Sequence, residues 1–74
     1  MSADAADDEL RLMVRAKIAL GVLPREGALQ FLPAFGKGQI CSAFGAIIAP
    51  RASMYERGAV QLHRLCYDVW RAEI

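Results

Sequence analysis

This chain has no long hydrophobic run, few cysteines and almost no net charge, and each shortage removes a class of function. Its longest apolar stretch, Ala43 to Pro50, is interrupted by Gly45 and falls well short of the ~18–20 residues of a membrane-crossing helix. Asp4, Asp7, Asp8 and Glu9 stand where a secretory leader carries Lys or Arg. With only Cys41 and Cys66, a secreted disulfide scaffold is out of reach, and cytosolic thiols stay free or bind metal more often than they pair. Nine basic against eight acidic residues leave a net charge of +1, so overall charge gives no argument for nucleic acid or membrane. Seventy-four residues leave no room for a second catalytic lobe, a cofactor domain or a repeat array. The expectation is a single, complete cytoplasmic domain over residues 1–74.

Hydrophobic residues make up 55% of the chain, too many for a disordered tail. Thirteen of them are alanine, so bulky core formers are scarcer than the percentage implies. A domain this small often recruits a metal, a disulfide or a partner chain. Charge is uneven: residues 1–10 carry four acids and no base, and the other sixty-four carry nine bases and four acids. Those bases are scattered from Arg11 to Arg71, which reads as a solvated surface rather than an anion-binding face.

The spacing predicts a helix over residues 4–21, in a segment that closes at 22, with residues 1–3 disordered. Asp4 suits the N-cap, and Asp7, Asp8 and Glu9 suit the positive end of the helix dipole. Leu12, Ala16, Ala19, Leu20 and Leu23 form one apolar stripe, and Leu10, Val14 and Ile18 form a second beside it. Gly21 fits a left-handed exit, with Pro24 as the stop. Residues 24–40 read as a Gly/Pro-rich link with a short helical turn from Glu26 to Leu32, and Phe31, Leu32 and Phe35 are expected on the first helix. Gly36-Lys37-Gly38 lacks both the earlier Gly and the following Ser or Thr of a phosphate loop, so a flexible turn is expected there. A tight turn spans 40–49 and a loop 49–53. Met54–Glu56 and Ala59–Leu62 then flank Arg57-Gly58 as a hairpin with Gly58 at positive φ. Residues 63–73 read as a second helix, with Leu62, Leu65, Cys66, Val69 and Trp70 on its apolar face.

One constellation can carry chemistry. Cys41 opens C-x-x-F-G, and His63 and Cys66 form H-x-x-C at the start of the last helix. A two-residue gap lets a tight turn aim two side chains at one ion, and a pair from a helix's first turn completes a tetrahedron. Gly45 permits the curl that points backbone N–H groups at a thiolate. Cys41, His63 and Cys66 therefore supply three of the four ligands of a zinc site.

The stretch from Cys41 to Trp70 resembles a treble-clef or half-LIM zinc finger, whose pattern is C-x-x-C, a hairpin, then H-x-x-C on a helix. The whole chain is similar to small uncharacterised bacterial proteins with a G-x-L-P step (Gly21 to Pro24), a Tyr-Glu step (Tyr55-Glu56) and L-H-x-x-C-x-x-x-W (Leu62 to Trp70). The resemblance implies a zinc-finger-like unit over 41–73. It breaks at Phe44, which stands where the pattern has its second cysteine and cannot ligate a metal. A structural zinc site is worth an apparent ~10–16 kcal/mol in finger peptides, and burying a Phe side chain contributes only ~1.5–3 kcal/mol. Either a fourth ligand comes from elsewhere (water, Glu56, Asp68 or a partner chain) or the fold stands without metal, with Cys41, Phe44, His63 and Cys66 packed together and the cysteines acting as modest hydrophobes.

Three further readings compete for these residues. A Cys41–Cys66 disulfide conflicts with a cytosolic setting. A Cys–His nucleophile needs an exposed thiolate and a cleft that so short a chain scarcely provides. Trp70, Tyr67 and Phe35 have the ring faces to stack bases, but aromatics at helical spacing are usually core. The expected fold is α+β: an N-terminal helix on a knuckle, a short hairpin and a C-terminal helix. The leading expectation is a non-enzymatic interaction module, binding a protein partner or a second copy, with no cofactor. The alternative is a zinc finger held by Cys41, His63 and Cys66, contacting nucleic acid.

Overall fold

In the computed structural model, residues 2–26 and 30–74 are described, with side-chain environments from Asp8 onward outside residues 27–29. The first helix, α1, runs Ser2–Ala19. Its exit follows from Gly21, which sits at φ 81°, a conformation costing an L-residue roughly 1–2 kcal/mol. There the Gly21 N–H donates to the Ile18 carbonyl at 3.1 Å and the Val22 N–H to the Lys17 carbonyl at 2.9 Å. This paired closure satisfies carbonyls that a helix end otherwise leaves orphaned. The chain then drops Leu23 into the core and leaves through Pro24. The helix is thus shifted relative to the expected 4–22: Ser2 and Ala3 belong to it, Asp4 lies inside it rather than capping it, and it stops at Ala19.

Of the two expected apolar stripes, Leu10 and Val14, backed by Ile18, reach the core from the helix, and Leu23 reaches it from beyond the helix end. Leu12 is 63% exposed and Leu20 75%. The reason is that α1 packs on one partner, the C-terminal helix α2 (Arg64–Glu73), and one partner covers one stripe. An ion pair between Arg15 and Glu73 ties the two helices at their edge.

Three strands complete the fold: β1 (Leu32–Phe35), β2 (Ser53–Arg57) and β3 (Val60–His63). They form an antiparallel sheet in the order β1-β2-β3, with Leu32 opposite Glu56 and Met54 opposite His63. Two helices and a three-stranded antiparallel sheet make the α+β architecture expected. The hairpin β2–β3 turns through Gly58, at φ 57°. β1, by contrast, lies within the span read as a link. Pro33 has no N–H to donate to a ladder, which demotes a run as a strand, yet β1 is at the sheet edge, where such a residue is tolerated. The helical turn expected over Glu26–Leu32 falls partly on residues 27–29, outside the described residues, and Leu32 is strand.

The core gathers Leu10, Val14, Leu23, Phe31, Ile48, Met54, Leu62 and Trp70, together with Cys41, Ala43 and Cys66. Each large apolar side chain buried there contributes about 1.5–3 kcal/mol. Phe31 packs against Trp70 and Tyr67 of α2, at centroid distances of 4.9 and 5.6 Å, in the core cluster that also holds Leu10 and Val14 of α1. Tyr67 stacks on Tyr55 of β2 at 3.9 Å. Leu32 and Phe35, expected on α1, are exposed. So is Leu65, the one member of the α2 stripe that faces out. The Trp70 indole N–H donates to the Pro24 carbonyl at 2.8 Å, pinning the exit of α1 to α2. No helix of the described residues is long and apolar enough to cross a membrane.

Candidate metal centre

Residues 38–48 form a narrow two-armed loop that carries Cys41 near its tip. Its arms are joined by the Gly38 N–H to the Ile48 carbonyl (3.0 Å), the Ile48 N–H to the Gln39 carbonyl (2.7 Å) and the Cys41 N–H to the Ala46 carbonyl (2.8 Å), with Ile40 bridged to Ile47. At the tip the Gly45 N–H donates back to the Cys41 carbonyl at 2.9 Å. Gly45 closes this turn at φ 75°, a region that a side chain disfavours. The closure aims the Phe44 N–H at the Cys41 sulfur, 3.4 Å away.

A second contact fixes the loop to the sheet. The Ser42 N–H donates to the Gln61 carbonyl at 2.7 Å, and the Gln61 N–H donates to the Ser42 hydroxyl at 3.1 Å. This reciprocal clamp places Cys41 beside the end of β3. His63 is the last residue of β3 and passes directly into α2, so Cys66 lies in that helix's first turn. The first turn of α2 has no acidic residue and no side-chain cap, leaving its positive end free to favour a thiolate.

The three expected ligands converge. One ligating atom each from Cys41, His63 and Cys66 lies within 4.8 Å of the others. Tetrahedral zinc, with bonds of about 2.3 Å to sulfur and 2.0–2.1 Å to nitrogen, sets its ligand atoms roughly 3.5–3.8 Å apart. The cluster therefore needs to close by no more than about 1.3 Å. Both cysteines are free thiols, 1% and 4% exposed. The Cys66 thiol, hydrogen-bonding to Cys41, pulls Cys41 from 9.0 down to about 4; burial opposes this, and the backbone at His63, Phe44 and Ala43 assists. The same hydrogen bond, with burial and the Cys41 charge, drives Cys66 upward. The pair thus shares its protons unequally, with thiolate character favoured at Cys41 and the proton held at Cys66. His63 Nε2 lies 3.3 Å from the Ile47 carbonyl. A carbonyl only accepts, so a hydrogen bond here needs the proton on Nε2; Nδ1 of the neutral ring would then be the nitrogen free for a metal, oriented by that second hydrogen bond.

No fourth His, Cys, Asp or Glu joins the group among the described residues. Glu56 and Asp68, the sequence candidates, stand apart from it. Phe44, expected in the packed cluster, stands at its rim, 51% exposed. It borders a cavity of about 290 Å³ lined by Leu10, Phe44, Ala46, His63, Leu65 and Cys66. Sequence reasoning missed three positioning groups: Ser42, Gln61 and the Ile47 carbonyl. A Ser after the first Cys of a turn is a weak cue for side-chain-to-backbone bonding; its partner nineteen residues away gives none. Comparison with protein-family models, with curated proteins and with solved structures finds no match to this chain.

Proposed function

We propose that this chain is a small zinc-binding module of treble-clef type, non-enzymatic, with Cys41, His63 and Cys66 as its protein ligands. The observation that carries the reading is the convergence of those three donors from a turn, a strand end and a helix start. Two sulfurs and one imidazole suit a borderline-soft ion such as zinc. Tetrahedral closure draws the turn, the hairpin and α2 together, so the ion acts first as a staple for a small core. Thiol catalysis is the weaker use of the same groups: both sulfurs are buried, and a nucleophile must be reached.

Metal content tests this reading. Native mass spectrometry of the protein as purified is expected to show one added zinc. With zinc at about 100 times its dissociation constant, the gain is about 2.7 kcal/mol, which raises the melting temperature by roughly 10–20 °C in a domain of this size. Cys66→Ala is expected to abolish that rise. A wild-type melting curve indifferent to both zinc and chelator would end the proposal.

A second reading concerns the outer surface. Leu12 on α1 and Leu20 in the turn just after it are largely exposed, and a stripe of this kind suits a protein partner or a second copy. Sedimentation over a range of concentrations tests self-association. A strictly monomeric protein counts against that version.

A further inference from the structure

We propose that the fourth position of the metal centre is taken by a neutral aromatic nitrogen heterocycle, which enters the cavity beside Phe44 and donates its ring nitrogen to the metal. The inference rests on the zinc-binding reading above and adds the class of ligand that completes the site.

The cluster has a closed side and an open one. Cys41 is buried with Ala43 and Leu62, neither of which has exposed surface. His63 and Cys66, in contrast, line the cavity of about 290 Å³ together with Leu10, Phe44, Ala46 and Leu65. Two of the three ligating residues thus face a single opening. Zinc with three protein ligands takes its fourth from outside, and here that ligand comes through an apolar vestibule.

Charge and wall chemistry then narrow the class. Two thiolates cancel the charge of a divalent ion, and a neutral imidazole leaves the total at zero. A hydroxide, carboxylate or third thiolate would add a negative charge facing apolar walls, where it is poorly solvated. Water adds no charge, but the lining side chains besides the ligands are Leu10, Phe44, Ala46 and Leu65, which offer it no hydrogen bond, so a ligand with an apolar body displaces it at a gain. A neutral nitrogen on an aromatic ring meets both demands. Its lone pair completes the tetrahedron and its ring displaces water from the apolar walls. Phe44, half-exposed at the rim, offers a ring face or edge for the contact that aromatic pairs prefer. The volume lies near the lower end of small-molecule sites and suits one or two rings. Coordination is a simple addition: the metal–nitrogen bond forms, any water on the metal leaves to solvent, and no proton moves.

The test uses the full chain loaded with cobalt(II), whose absorption reports both sulfur ligation and coordination number. Sulfur-to-cobalt charge transfer establishes the metal reading; its absence overturns that reading. Imidazole and phenylimidazole are then titrated into the loaded protein. The ligand-field bands are expected to shift to saturation with both azoles, with phenylimidazole binding about tenfold or more tightly because its second ring buries apolar surface. Charge transfer present but ligand-field bands unmoved by either azole would overturn this inference alone. Equal affinity for the two would overturn the role of the cavity. Leu65→Asp, at an exposed position of the lining, is expected to erase the advantage of phenylimidazole and leave imidazole binding in place. Phe44→Cys is expected to strengthen charge transfer and abolish the response to both azoles. If either variant behaves as wild type in both titrations, the proposal fails.

Discussion

Arg51 occupies the left-handed region at φ 67°, where an L-residue pays a conformational penalty. It sits third in a turn closed by the Ala52 N–H on the Ala49 carbonyl at 3.0 Å. Pro50 precedes it, so the turn asks for glycine or asparagine at this position. Arg51→Gly is expected to stabilise the protein by about 0.5–1 kcal/mol, read as an upward shift of a few degrees in thermal melting. Beside that turn lies Gly36, which donates to the Ala52 carbonyl and accepts from the Arg51 N–H. A β-carbon there would collide with the Ala49 carbonyl and the Ile48 side chain. Gly36→Ala should therefore cost about 1–3 kcal/mol, and a melting temperature equal to wild type would contradict the close approach. At the cysteines the sign of the pH effect follows from proton count. Because Cys66 is pushed upward while Cys41 is pulled down, the Cys66 thiol keeps its proton through neutral pH, and metal binding must expel it. Between pH 7 and 8, zinc affinity should consequently rise by about tenfold. Competition with a metal indicator at the two pH values measures it; a flat profile would mean that no proton is displaced.

At the scale of elements, the clamp between the 38–48 loop and β3 positions one ligand against two others. Ser42→Ala removes the hydroxyl that accepts the Gln61 N–H. Loss of such a hydrogen bond costs about 1 kcal/mol in stability, and displacing a supporting group costs roughly 10–100-fold in metal affinity. An isothermal titration with zinc showing wild-type affinity for Ser42→Ala would place the loop's register elsewhere. The elements themselves were unequally legible. The β2–β3 hairpin could be read because Gly58 marks its turn, and α2 because Cys66, Val69 and Trp70 repeat at helical spacing. β1 could not, since Pro33 argues against a strand unless the strand is known to be an edge. The choice between the two stripes of α1 was equally hidden: Leu10 and Leu12 are alike as residues, and only the position of α2 decides which is covered. At the site, the H-x-x-C spacing made the convergence of Cys41, His63 and Cys66 readable. The placement of Phe44 at the rim depends on the local fold of the turn and left no trace in the pattern.

For the molecule as a whole, one core joins parts with different supports. α1 is held by apolar packing on α2, by the Arg15–Glu73 ion pair and by the Trp70–Pro24 hydrogen bond, the last two of which involve none of the three ligands. The stripe bearing Leu12 and Leu20 lies outside that packing. Leu12→Glu with Leu20→Glu is expected to leave the stability within about 0.5 kcal/mol of wild type, as exposed sites generally do, while abolishing any concentration-dependent association seen by sedimentation. A marked loss of stability in that double variant would show that the stripe is core after all.

Trp70 is the sole tryptophan of the chain, and its indole meets the backbone at the junction through which α1 leaves for the rest of the fold. The protein therefore contains its own optical gauge of helix undocking. Emission from that indole should move to the red when α1 lifts away, while cobalt absorption reports the cysteine–histidine cluster, whose Cys66 lies one turn earlier on α2. One sample, followed at two wavelengths during unfolding, can thus tell whether the metal leaves before, with or after the helix.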